Sequence, residues 1–248
     1  LILATCEGVC EVGGADPAAI AAAFRRWFQE RQLSGLGSST LKALRDLQAG
    51  AHWALAGARG ERAAGNGGAM RIAPLAFLST AGRTVIRDVV RITHHHDEAY
   101  LGALAVVLAL RGPWPASAAD LLHAVAIQLP DCRVRDQLEA AAALGPQATL
   151  QEFAACSGTS GWVVETLPLA LAAAWHMADG SFALVLDELV RIGGDTDTIA
   201  SIAGQVAGAR IGAAGLPEEL LALLPERELV EDVGRRFSQV VRSARAGG

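Results

Sequence analysis

Ile192-Gly-Gly-Asp-Thr-Asp-Thr-Ile199, continuing into Ala200-Ser-Ile-Ala-Gly-Gln-Val-Ala-Gly-Ala-Arg-Ile-Gly212, sets the reading of the whole chain. Two glycines permit a tight turn with unusual backbone angles, and Asp195 then stands where a helix N-cap stands. A helix is therefore predicted from this point onward. Along it Ala200, Gly204, Gly208 and Gly212 recur every four residues and leave one face almost without side chains. Each glycine costs a helix about 1 kcal/mol relative to alanine, so close packing of a second helix or of a ligand is expected on that face.

Asp195, Asp197 and Thr198 fall within one turn, which gathers two carboxylates and a hydroxyl near the helix start. Hard oxygen donors of this kind suit magnesium, calcium or manganese rather than zinc or copper. The same three residues also admit a plain structural role, with Asp195 capping, Asp197 complementing the helix dipole and Thr198 as spacer.

Composition narrows the setting. The chain has 248 residues, enough for one large domain with a sizeable core, and 52% of them are hydrophobic. Much of that apolar content is alanine, which favours closely packed helices over a β architecture. The apolar run Ala103-Leu-Ala-Val-Val-Leu-Ala-Leu110 is far short of the roughly 20 residues that span a bilayer, so it is expected as a buried helix and no membrane role is expected. With 21 Lys+Arg against 26 Asp+Glu the net charge is −5, and neither sign forms a block. That argues against direct nucleic-acid binding, which needs a basic stripe, and for a small-molecule partner. Cys6, Cys10, Cys132 and Cys156 lack Cys-x-x-Cys spacing and are expected as free thiols, which suits a cytoplasmic location.

Helix signals run along the chain. Leu1 to Val12 has a helical pattern, and Asp16-Pro17 is a cap followed by proline at the first helical position, leading into Ile20, Phe24, Trp27 and Phe28. A shorter helix carries Leu41, Leu44 and Leu47 and stops at Gly50. Glycines at 57, 60, 65, 67 and 68 mark a flexible stretch that ends in Gly65-Asn66-Gly67-Gly68 before the apolar segment Met70 to Leu78. A glycine-rich loop feeding a helix start suits an anion such as a pyrophosphate, although Asn-Gly is also a common turn. Arg71 either reaches a phosphate or ties the loop down. Val85 to Ile92 continues helical and ends at Thr93-His94-His95-His96, with Asp97 capping the next helix. Consecutive histidines point in different directions and cannot all bind one ion.

Further on, Ser117 with Asp120 starts a helix, Asp131 to Leu144 is amphipathic, and Thr149-Leu-Gln-Glu152 is a capping box. Ser157-Gly-Thr-Ser-Gly161 is a second flexible loop with Trp162 at its junction with an apolar helix, where an aromatic either stacks on a base or packs in the core. Pro168 is expected to kink or restart that helix. Two amphipathic segments, Pro217 to Leu224 and Glu228 to Ala244, close the chain. With no strand-like alternation, the expected fold is an all-α, single multi-helix domain over 1–248.

Three of these segments carry a resemblance. Gly193-Gly-Asp-Thr-Asp-Thr-Ile-Ala200 with its Ala-Gly-x-x-x-Gly-Ala continuation resembles the C-terminal signature of the ADP-ribosylglycohydrolase family. Gly65-Asn-Gly-Gly-Ala-Met-Arg71 is similar to a second hallmark, and Ser160-Gly-Trp-Val-Val-Glu-Thr-Leu-Pro168 to a third. The resemblance implies that family's fold, with a ligand cleft lined by inter-helix loops. It also implies hydrolysis of the C1″ glycosidic bond of ADP-ribose attached to a protein side chain or polymer. Two magnesium ions are implied as cofactors, with manganese as a substitute, and ADP-ribose or an ADP-ribosylated protein as partner. By the same resemblance Asp195, Asp197 and Thr198 supply metal ligands. Gly65, Asn66, Gly67, Gly68, His94, Gly161 and Trp162 contact the ligand, while His95 and His96 remain loop. The Gly65 to Arg71 segment is closer to members that act on O-linked ADP-ribose.

The family's Gly-Asp-x-x-Gly segment and Thr-Asp-Asp-Thr run do not occur here, and Leu1-Ile-Leu-Ala-Thr5 is similar to the family's sequence just after that run. The expectation is that an N-terminal segment lies outside this sequence, and no catalytic acid or base is assigned within it. The competing expectation is a non-catalytic relative that binds ADP-ribose or keeps only the fold.

Overall fold

The computed structural model describes residues 1–246, with side chains through residue 244. Fourteen α-helices are found among them. In order they are α1 (Ile2–Val12), α2 (Pro17–Gln29), α3 (Ser38–Gln48), α4 (Trp53–Ala56) and α5 (Arg83–Arg91). Then come α6 (Asp97–Arg111), α7 (Ala118–Ala126), α8 (Arg133–Ala142), α9 (Leu150–Ser157) and α10 (Val163–Asp179). The last four are α11 (Phe182–Ile192), α12 (Thr196–Ile211), α13 (Glu218–Ala222) and α14 (Arg227–Ala246). The all-α expectation holds, with one small addition. Two-residue strands β1 (Ala58–Arg59) and β2 (His94–His95) pair in parallel, Ala58 opposite His94 and Arg59 opposite His95. Strands this short carry no alternating pattern for a sequence reading to detect.

The chain divides into two compact units, Leu1–Leu104 with Pro225–Gly248, and Ala105–Leu224. In the first, α1 packs on α2 and α14. The α1 and α2 backbones approach so closely that a Cβ on Gly8 would stand 2.6 Å from Ile20 Cα, which fixes glycine at that position. Asp16 caps α2 as expected, accepting the Ala19 N–H at 2.8 Å, and Pro17 opens the helix. The Glu7 carboxylate joins three helices, accepting from Trp27 Nε1 at 2.6 Å, Arg26 at 3.2 Å and Arg236 at 3.1 Å. Burial pushes this carboxyl up, but the bonds from Trp27, Arg236 and Arg26 outweigh it and hold it below the usual range.

The second unit is built on α10, which packs against α12, α7, α9, α8 and α11. Leu167, Leu169 and Leu171 are wholly buried, each worth about 2 kcal/mol of apolar transfer. A helix buried nearly all round is a core helix, and it needs no polar face. It runs past Pro168 without interruption, so the expected restart does not occur. Trp175 anchors it by donating from Nε1 to the Pro115 carbonyl at 3.1 Å. The capping box at Thr149 and the cap at Ser117 both form. Among the described residues no helix is long and apolar enough to cross a membrane.

The small face of α12 departs from expectation. The residues that α12 buries are Thr198, Ile199, Ile202, Ala203, Val206 and Ala207, and the glycines lie off this set. A Cβ on Gly204 would meet Phe182 at 3.5 Å and one on Gly208 would meet Leu216 at 4.0 Å, both ordinary contacts. Tight packing therefore does not require glycine at either place.

Candidate functional site

Two loops of the second unit are bound to one another at the start of α12. The backbone N–H of Asp195 donates to the Thr159 carbonyl at 2.8 Å. Gly194 has φ +85°, and a Cβ there would collide with Thr159 Oγ1 and its carbonyl. Gly161 faces the Asp195 side chain, since a Cβ on it would stand 3.2 Å from Oδ2. Metal candidate Asp195 and ligand candidate Gly161 are thus brought together by two loops that start more than thirty residues apart in sequence.

Asp195 occupies the N-cap position of α12, but its side chain makes no capping bond. The expected cap is corrected here: with φ −84° and ψ 59° the residue lies outside the extended conformation usual for a capping side chain. Asp197 Oδ1 instead accepts the Thr198 N–H at 2.9 Å, and Thr198 is buried. Hard oxygen donors are therefore present at this turn, in kind suited to magnesium. Among the described residues no group of three or more His, Cys, Asp or Glu side chains is gathered as a metal site.

The start of α10 braces the same loop. Glu165 accepts the Ser160 N–H at 3.1 Å, and Thr166 Oγ1 donates to the carbonyls of Ser160 at 3.0 Å and Trp162 at 3.1 Å. Trp162 is half-buried, and the Arg133 guanidinium lies 5.2 Å from the centre of its ring. A cation over one face of an indole is a stabilising arrangement. Sequence reasoning missed Thr159, Glu165 and Arg133. Glu165 stands inside the Ser160 to Pro168 motif but looks like an ordinary first-turn carboxylate, and the other two carry no local signal.

In the first unit Gly67 lies against His94, where a Cβ would stand 2.8 Å from Cε1 and 3.3 Å from Nε2. Gly68 packs on Val90 of α5 at 2.9 Å, measured the same way, and Asn66 is buried, its carbonyl accepting the Met70 N–H at 3.0 Å. Gly65 precedes them in the same loop, half-buried. The loop does not feed an α-helix. Short 3-10 turns, Ala69–Arg71 and Ala73–Phe77, come after it, with Pro74 at the start of the second. A helix-dipole anion site is therefore not built here, because there is no α-helix to supply it.

Arg71 is wholly buried and ties the segment down, donating from Nη2 to Thr93 Oγ1 and to the carbonyls of Val89 at 3.4 Å and Val90 at 3.5 Å. It also sits 5.1 Å from the Phe24 ring centre. Reaching a phosphate is excluded for a side chain so enclosed. Burial lowers its pKa to about 9. His94 is 4% exposed, and its Nδ1 lies 2.7 Å from Thr93 Oγ1. Burial and then the Arg71 charge lower its pKa to about 3, so it is neutral at physiological pH. His95 belongs to β2 rather than to a loop, and His96 Nδ1 accepts the Glu98 N–H at 3.1 Å at the start of α6.

Comparison with known proteins identifies the family. The family model described as ADP-ribosylglycohydrolase matches residues 1–247. An uncharacterised protein of Archaeoglobus fulgidus is 28% identical over 242 residues, covering 94% of this chain and 76% of that protein. ADP-ribosylarginine hydrolase Tri1 of Pseudomonas putida is 31% identical over 223 residues, or 84% of this chain, which spans only 56% of that protein's length. A solved ADP-ribosylglycohydrolase-related protein complex superposes with a TM-score of 0.69 at 28% identity, over 97% of this chain and 79% of the other. On the family match over nearly its whole length, supported by the Gly193–Thr198 turn and its partner loop, this chain belongs to the ADP-ribosylglycohydrolase family.

Proposed function

We propose that this chain binds ADP-ribose and acts in the magnesium-dependent hydrolysis of the C1″ glycosidic bond that joins ADP-ribose to a protein side chain or polymer. The observation that carries the reading is the Asp195–Thr159 bond. It sets a carboxylate that does not cap its own helix opposite a glycine, inside the stretch that bears the family signature. Asp195, Asp197 and Thr198 would hold magnesium. Held there, it would supply Lewis-acid polarisation of ribose hydroxyls and of water. The acceptor departs through an oxocarbenium-like transition state, as in other glycosidases.

The remaining work belongs to this chain's own residues. Glu165 and Thr166 hold the loop whose Thr159 carbonyl accepts the Asp195 N–H, so the backbone that carries this carboxylate is tied to α10. Trp162 offers an aromatic surface for adenine or ribose. Gly67, which has no Cβ to crowd His94 Nε2, is the loop residue best placed to let a ligand oxygen approach that nitrogen. Arginine-linked ADP-ribose is the first substrate to try, because the Tri1 relatives of Pseudomonas putida and Serratia proteamaculans are named for it. O-linked ADP-ribose, the preference expected from residues 65 to 71, is the second.

Calorimetric titration with ADP-ribose, with and without magnesium, tests the reading. Metal-dependent binding that Asp195→Ala removes, with the circular dichroism unchanged, is the expected result. Equal binding in both conditions would favour a non-catalytic ADP-ribose reader, and no binding in either would overturn the proposal.

A further inference from the structure

Arg71, Thr93 and His94 form a hydrogen-bonded line that ligand contact alone does not explain. The first two are wholly buried and the third nearly so. Arg71 Nη2 donates to Thr93 Oγ1, which lies 2.7 Å from His94 Nδ1. Arg71 Nε and Nη1 have no hydrogen-bond partner, and among the described residues no carboxylate pairs with this guanidinium. An enclosed cation without a carboxylate partner is costly to bury, and its one close side-chain bond is to Thr93.

We propose that Arg71, acting through Thr93, is a positioning residue that fixes His94 as the Nε2–H tautomer and aims that N–H at an acceptor oxygen of the ligand. The identity of the ligand rests on the proposed function; the tautomer does not. A guanidinium can only donate, so Thr93 Oγ1 must accept from it. The hydroxyl hydrogen then has Nδ1 as its neighbour. If Nδ1 carried the proton, two donors would face the threonine oxygen, and the threonine hydrogen would be left in a buried place without an acceptor. With Nδ1 accepting, the ring proton sits on Nε2. Gly67 completes the arrangement, because a Cβ there would stand 2.8 Å from Cε1, 3.3 Å from Nε2 and 3.4 Å from Thr40 Oγ1 and crowd the nitrogen that donates. Burial and the Arg71 charge both oppose a second ring proton, so the donor is neutral.

The test is nitrogen-15 NMR of the imidazole rings of the full chain, with the His94 signals assigned by their loss in His94→Gln. Wild type is expected to show a protonated Nε2 and a bare Nδ1. Thr93→Val should move proton density onto Nδ1 and weaken ADP-ribose binding by about tenfold. Thr93→Ser should restore both, and Arg71→Met should shift the ring as Thr93→Val does. A protonated Nδ1 in wild type would overturn the proposal, as would unchanged ring signals in Thr93→Val. The wild-type spectrum decides the tautomer even if a variant does not fold. The expected ring signals in a protein that fails to bind ADP-ribose would uphold the relay and overturn the proposed function instead.

Discussion

The Asp195 backbone N–H donates to the Thr159 carbonyl at 2.8 Å and so joins the loop after α9 to the turn before α12. Geometry at the metal candidates is thereby inherited from α10, whose Glu165 and Thr166 hold the Thr159 loop.

Gly194 is the tightest point of that junction. At φ +85° an alanine is strained, and its Cβ would collide with Thr159. Gly194→Ala is expected to destabilise the protein by about 2 kcal/mol or more and to abolish the magnesium response of ADP-ribose binding. Urea denaturation and calorimetry on the same preparation measure both; an unchanged midpoint would show that the two loops separate freely.

Gly67→Val addresses the other unit. Its Cβ would press on the His94 ring at 2.8 Å, and the branched side chain would crowd the Nε2 edge further. Affinity for ADP-ribose should fall by roughly tenfold or more, corresponding to about 1.4 kcal/mol. Wild-type affinity in this variant would reduce the glycine loop to a turn.

His94 gives the protein a pH dependence of definite sign. Its pKa is lowered to about 3 on folding, so between the ordinary histidine value and that point the unfolded chain holds the extra proton. Stability therefore falls as pH drops from about 6.5 toward 3. Between pH 7 and 5 the loss attributable to this ring is about 2 kcal/mol at most, and His94→Gln should flatten the denaturation profile by that amount. Parallel profiles for the two proteins would show that the ring is not held neutral.

Glu7 supplies the carboxylate case. Its carboxyl lies below the ordinary range on folding, so its contribution is present above the unfolded value and is lost as pH falls through the folded one. The carboxylate is partly exposed, so Glu7→Gln is expected to cost only about 1 kcal/mol near neutral pH, after allowance for solvent screening. The gap from wild type should close in acid. A gap independent of pH would mean that the charge is not what binds α1, α2 and α14.

Local signals were readable wherever a residue acts on its own neighbours. Asp16 with Pro17, Ser117 with Asp120, and Thr149 with Glu152 each mark a helix start within three residues, and each was legible before the fold was known. The same logic failed at Asp195, whose type and position say cap while its backbone angles prevent it. It failed again after Gly68, where apolar residues in a helical pattern form 3-10 turns with Pro74 among them. The relay from Arg71 to His94 had no sequence signal, because Arg71 and Thr93 are 22 residues apart and a Thr-His pair is silent about what lies beneath it.

The sequence by itself determined the all-α class, most helix starts, and the family, because caps, periodicity and signature residues are local or linear properties of a chain. Only the tertiary structure decided that Thr159 holds Asp195, that Gly67 borders His94, and that Arg71 is an enclosed cation rather than a phosphate ligand. Those outcomes depend on burial and on contacts between distant segments, and a side chain's charge and hydrogen bonds take their energies from such surroundings rather than from its neighbours in sequence.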